Sequence, residues 1–150
     1  MIALGSDHGG LALKTAVREL LNERGIPSLD CGTESDSSVD YPDFGEKVAQ
    51  AVSSGRVEKG ILFCGTGIGM SIVANKFPHV RAALVTDQFM ARMAKEHNNA
   101  NILVLGGRVL DDNMAREMVV TWLEATFEGG RHQSRLDKIE LLEKNLCKDC

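Results

Sequence analysis

The stretch GILFCGTGIGMSIVANK, Gly60 to Lys76, ends an apolar run in a thiol and then places glycines at 65, 67 and 69 before a helical pattern. Glycines let the backbone approach a ligand closely, and N–H groups at a helix start favour negative charge. Cys64 stands at the first step of this corner. A thiol near a helix N-terminus ionises more readily than an ordinary one, which makes Cys64 a candidate base. Taken alone, a cysteine at a strand end is better explained as a small buried hydrophobe, and it is the glycine corner and the converging polar residues that favour the base. The dinucleotide fingerprint G-x-G-x-x-G fails because Met70 occupies its last position, although Asp87 supplies a downstream acid. A Walker loop fails as well, since Gly69-Met70-Ser71 carries no lysine. What remains is an anion-stabilising corner with a thiol beside it.

Other reactive residue types fall in short polar turns. Ser6-Asp7-His8-Gly9-Gly10 follows one apolar run, Thr86-Asp87 another, and Gly106-Gly107-Arg108 a third. His97 and Asn98 sit in KEHNNAN, and an imidazole there or at His8 has the chemistry for acid–base work near neutral pH, or for an ordinary cap or surface role. Arg131 and Arg135 in GGRHQSR are one helical turn apart, a spacing that suits a phosphate or a solvated cationic face. His79, in a Pro-His turn, reads as a surface residue, and His132 is open. Met90 and Met93 read as core filling. Cys31 reads as structural. Cys147-Lys-Asp-Cys150 has redox or metal spacing without the flanking fold such pairs need, and reads as incidental.

The elements that must position these residues follow from the apolar pattern. IALGS, IPSLDCG, GILFCG, RAALVT and NILVLGG read as strands. Between and after them, 11–24, 41–54, 67–76, 87–97, 113–127 and about 133–144 read as helices. Alternation of this kind gives an α/β fold, a Rossmann-like three-layer α/β/α sandwich with a five-stranded parallel sheet. Such sheets bind ligands at the carboxyl ends of their strands, where Asp7, Cys64 and Arg108 all fall. His97 and Asn98 close a returning helix, so topology puts them at the opposite edge. They reach the site only through a long or bent turn or a neighbouring chain. Leu136, Ile139, Leu142 and Leu146 make an apolar stripe on the last helix that must be covered, by the chain's own domain or by a partner.

With 150 residues, 43% hydrophobic and 25% charged, the chain is sized for one domain, residues 1–150. The balance of 17 Lys+Arg against 21 Asp+Glu, a formal charge of −4, argues against a general nucleic-acid or anionic-membrane binder. The start MIALGSDHGG has no basic leader, and no segment approaches the roughly 20 apolar residues of a membrane span. A cytoplasmic protein is expected. Four cysteines, at 31, 64, 147 and 150, are too few and too uneven for a disulfide framework and read as thiols.

SDHGG, DYPDF, GILFCGTGIGMSIVANK, RAA, EHNNANILVLGGR and FEGGRHQSR occur in one order along nearly the whole chain, and together they resemble the type-B ribose-5-phosphate isomerase family, which includes galactose- and allose-6-phosphate isomerases. The resemblance implies a metal-free and cofactor-free homodimer, or a dimer of dimers, with sites between subunits and a C-terminal arm from about residue 128. Cys64 would move the proton between C1 and C2 of a sugar phosphate. Gly65, Gly67, Ile68 and Gly69 would stabilise the enediolate. His97 would open the furanose ring with help from Thr66. Asp7, His8, Tyr41 and Asn98 would contact the sugar, and Arg108, Arg131 and Arg135 the phosphate. Some relatives use a glutamate as base, and some are unlike pairs, each incomplete. This chain carries both Cys64 and His97, as a self-sufficient homo-oligomer requires. Ribose 5-phosphate is the expected substrate; a six-carbon sugar phosphate or a non-catalytic nucleotide- or phosphate-binding module are the alternatives.

Overall fold

The computed structural model describes residues 1–146. Strands β1 (Ile2–Ser6), β2 (Ser28–Asp30), β3 (Lys59–Cys64), β4 (Ala82–Leu84) and β5 (Ile102–Gly106) pair in parallel in the order β2-β1-β3-β5-β4. The central β1, β3 and β5 are covered on both faces, which is why they read as continuous apolar runs rather than alternating ones. The outer strands β2 and β4 are shorter than IPSLDCG and RAALVT suggest. Pro27 has no N–H to offer a ladder, and its carbonyl accepts from Ile2 N–H at 3.0 Å just before β2 begins.

Helices α1 (Leu11–Glu23), α4 (Gln88–Glu96) and α5 (Asp112–Glu124) bury one sheet face in a cluster that includes Leu13, Val17, Phe63, Leu103 and Trp122. Helices α2 (Pro42–Ser53) and α3 (Ile68–Ala74) bury the other with Val48, Leu62, Met70 and Val104. The three layers expected from the sequence are therefore present. α4 starts where the Asp87 carboxylate accepts Met90 N–H at 2.8 Å. Asp87 is thus a helix cap beside the outer strand β4, not the ribose-binding acid of a dinucleotide fold. Met90 is also not core filling: it is 40% exposed, and Ala91 and Ala94 face the core instead.

Helix α6 (Arg131–Leu146) begins early enough to carry both Arg131 and Arg135. Of its apolar stripe only Leu136 is buried, while Ile139, Leu142 and Leu146 are exposed. With Phe77, Pro78, Val80 and Ala83 the stripe borders an open groove of about 660 Å³. His79 lies on the surface, as expected, and its N–H donates to Glu143 on α6 at 2.9 Å. Cys147 and Cys150 lie outside the described residues.

Candidate active site

From β1 the chain passes to β2 on one side of the sheet, and from β3 it passes to β4 and β5 on the other. The carboxyl ends of β1 and β3 therefore flank the point where chain direction diverges, the place where open parallel sheets leave a crevice. Three turns meet there. After β1, the buried Asp7 accepts Gly10 N–H at 3.1 Å and fixes the single turn His8–Gly10. His8 Nδ1 accepts Val39 N–H at 3.2 Å, which ties the long 32–45 loop to this turn and leaves Nε2 as the donor of the neutral ring.

After β3, Cys64 is 5% exposed, and its Sγ accepts Gly67 N–H at 3.1 Å. Gly67 has φ 82°, a left-handed conformation that glycine adopts without a Cβ penalty, and this bend turns the N–H back on the sulfur. Thr66 and Ile68 are exposed at the mouth, with Ile68 N–H donating to Thr66 Oγ1 at 3.3 Å. Tyr41 at the start of α2 closes one side. A Cβ on Gly69 would lie 2.6 Å from its ring, so only glycine admits this approach. After β5, Gly107 N–H donates to Cys64 O and Arg108 N–H to Gly65 O, both at 2.8 Å. Those bonds lay the exposed Arg108 side chain across Gly65.

Asp7, His8, Tyr41, Cys64, Gly65, Thr66, Gly67, Ile68, Gly69 and Arg108 are thus brought to one crevice. His97, Asn98, Arg131 and Arg135 are not. They gather at the opposite edge, where α4 ends and β5 has yet to begin, as helix direction predicts. Arg81 Nε donates to the Asn98 and Asn99 carbonyls, each at 3.2 Å, and holds that turn against the amino end of β4.

Two residues that sequence reasoning did not assign join this second cluster. The His132 ring stacks on His97, with centroids 4.1 Å apart and planes 11° from parallel. Glu128 Oε2 lies 3.3 Å from His132 Nε2 and 3.8 Å from His97 Nε2. Burial pushes the His132 pKa down, the neighbouring His97 charge and Arg131 add to this, Glu128 opposes it, and Arg135 lowers it further. The available signal was the pair Gly129-Gly130 between Glu128 and His132. Their φ values of 66° and 54° reverse the chain so that both flanking side chains face His97. His97, Glu128 and His132 are near enough to suggest a metal site. The ring geometry opposes it, because a metal held by both imidazoles must lie in both ring planes, and these planes are stacked.

Fold and crevice together define a doubly wound α/β protein whose candidate chemistry centres on a thiol in a glycine corner. The chain matches the family model described as Ribose/Galactose Isomerase over residues 2–139. It is similar to the structure of ribose-5-phosphate isomerase B of Clostridium thermocellum, at 54% identity over 97% of this chain and 98% of that one with a TM-score of 0.95. It also resembles the Mycoplasma genitalium ribose-5-phosphate isomerase B structure with bound ribulose-5-phosphate, at 43% identity over 95% of each chain and a TM-score of 0.92. Ribose-5-phosphate isomerase B of Escherichia coli is 44% identical over 95% of this chain and 96% of its own length. The chain belongs to the ribose/galactose isomerase family. Among the described residues, no helix is long and apolar enough to cross a membrane.

Proposed function

We propose that the protein interconverts ribose 5-phosphate and ribulose 5-phosphate by proton transfer through an enediolate. The observation that carries this reading is Cys64, its sulfur held as an acceptor by Gly67 N–H at the mouth of the corner. The α-proton of a sugar aldehyde is a poor acid, so the site must supply a placed base and stabilise the oxyanion, worth about 10²- to 10⁴-fold for the base and about 10²- to 10³-fold per donor. Cys64 takes the proton from one carbon and returns it to the next. The loop from Gly65 to Gly69 stabilises the charge that develops. Asp7, His8 and Tyr41 hold hydroxyls of the sugar, and Arg108 reaches for its phosphate.

His97, assisted by Thr66, opens the furanose ring, Asn98 holds the sugar, and Arg131 and Arg135 complete the phosphate grip. Since these residues, Thr66 apart, stand at the far edge of the sheet, each pocket draws them from a partner subunit. The protein is then a homodimer whose single domain, residues 1–150, extends an arm from about residue 128 to the neighbour. The exposed stripe of α6 is the surface this contact would cover. The reading places the enzyme in the cytoplasm. The ribose-5-phosphate isomerase B relatives favour the five-carbon substrate over a six-carbon sugar phosphate, although the family's description spans both ribose and galactose isomerases.

The test is a panel of ribose, allose and galactose phosphates with wild type and Cys64→Ala. Ribose 5-phosphate should turn over fastest, and the variant should lose about 10²- to 10⁴-fold in kcat with its fold and sugar-phosphate binding retained. Undiminished turnover in Cys64→Ala would exclude the thiol as base, and a preference for galactose 6-phosphate would favour the six-carbon reading.

A further inference from the structure

The side chain of His97 is 35% exposed, and among the described residues no hydrogen bond fixes its ring. Its restraint is the stack on His132, whose own side chain is only 5% exposed. His132 is poorly served by its surroundings: its buried Nε2 has no hydrogen-bond partner, since the Glu128 carboxylate, although 3.3 Å away, is not aligned with it. A buried polar atom left in this state costs free energy. The ring is therefore held by packing, and the packing contact it makes with a proposed site residue is the stack on His97.

Three features fix the plate. Glu128 N–H donates to Glu96 O at 3.0 Å, which pins the segment to the end of α4 one residue before His97. The left-handed pair Gly129-Gly130 then turns the chain back, and His132 N–H donates to Gly129 O at 3.0 Å. The first turn of α6 presents His132 inward, while Arg131 and Arg135 remain exposed on either side. The groups facing His132 are His97 from the end of α4, Glu128 from the connecting segment, and Arg131 and Arg135 from α6 itself.

We propose that His132 is a positioning residue for ring opening, a stacking plate that sets the plane of His97, with Glu128 anchoring the pair; the proposal rests on the reading of His97 as the ring-opening group. In that step the bond between C1 and the ring oxygen breaks, and its electron pair goes to the ring oxygen. That oxygen takes a proton from His97 while the C1 hydroxyl releases its own to water and becomes the carbonyl. The acid must point at the ring oxygen, and misplacement by about 1 Å costs about 10²-fold. A free imidazole ring turns about its side-chain bonds, whereas a stacked one keeps its nitrogens on one line.

The experiment uses His132→Ala, His132→Phe and His97→Asn in the full-length protein, with two activity readouts. Isomerisation of ribose 5-phosphate needs ring opening, while solvent exchange of the C1 proton of ribulose 5-phosphate needs only the base. His132→Ala should lower kcat for ribose 5-phosphate about 10- to 100-fold, leave KM and C1 exchange near wild type, and be largely rescued by His132→Phe. Unchanged kcat in His132→Ala, equal loss of both activities, or failure of a folded His132→Phe to rescue would overturn the positioning role. Wild-type turnover surviving in His97→Asn would instead sink the ring-opening reading on which it rests. The stack itself is read without substrate by NMR of the His97 imidazole. Its resonances should be shifted by ring current in wild type, move to free values in His132→Ala and return in His132→Phe. Resonances that stay put in His132→Ala would overturn the stack whatever the enzyme acts on.

Discussion

The carboxyl and amino edges of the sheet carry two halves of one proposed pocket, and they are built in opposite ways. At the carboxyl edge, backbone does the positioning: Gly67 N–H reaches Cys64, Gly107 and Arg108 N–H groups reach the Cys64 and Gly65 carbonyls, and Tyr41 rests on Gly69. That half is built within one chain, on strand ends anchored in its core. At the amino edge, side chains do the work: His97 leans on His132 and Glu128 beside an arm that leaves most of its apolar stripe exposed. A base that removes a carbon-bound proton demands fixed geometry, which a buried strand end supplies. Groups that open a ring and grip a phosphate can be delivered by a partner.

The largest expected effect tests the separation itself. On the proposed dimeric reading, the Cys64→Ala and His97→Asn proteins should each lose about 10²-fold or more in turnover of ribose 5-phosphate. Mixed after unfolding and refolding, they should recover about a quarter of wild-type activity, because about half the dimers are hybrid and each hybrid holds one intact pocket. No recovery would mean that both groups come from the same chain, and the comparison between edges would lose its meaning. A smaller effect sharpens it. Arg135→Ala should raise KM about tenfold or more while kcat changes little, since a charged contact to the phosphate far from the reacting carbons is present in ground and transition states alike. A fall in kcat with KM unmoved would assign Arg135 to the chemistry instead.

The smallest effect concerns stability. Burial first, and then the His97 charge, depresses the His132 pKa below its ordinary 6.5, so the unfolded chain binds this proton more readily than the folded one. Stability from this group is full above the unfolded value. It declines as pH falls below about 6.5 toward the folded pKa, where the loss levels off. Melting curves from pH 7.5 to 5 should therefore slope less in His132→Phe than in wild type, and identical slopes would remove His132 from the pH response.

The same contrast explains what the sequence makes legible. Cys64, its glycines and the helix behind them are contiguous, so both the candidate base and the candidate anion hole can be read from one stretch. The strands β1, β3 and β5 are equally plain, because burial on both faces leaves an unbroken apolar run. The order β2-β1-β3-β5-β4 is not written locally, since it depends on which crossovers pack. The stack of His97 on His132 joins residues from two helices and depends on two left-handed glycines, a torsional property that composition does not display. The stripe on α6 announces an apolar contact, but nothing in its spacing says whose surface answers it.

Gly129 and Gly130 bear on how the arm holds its direction. A Cβ on either would meet nothing within 4 Å, so the constraint there is torsional and not steric. Glycine visits left- and right-handed wells about equally, and the turn by itself prefers no heading for α6. The heading belongs to the docked state, maintained by the ties of Glu128 to Glu96 and of His132 to His97. In mechanical terms, the double glycine is a pivot and the imidazole stack its latch. An alanine in the pivot would trap α6 in the right-handed wells and release the latch without touching a single atom of either histidine.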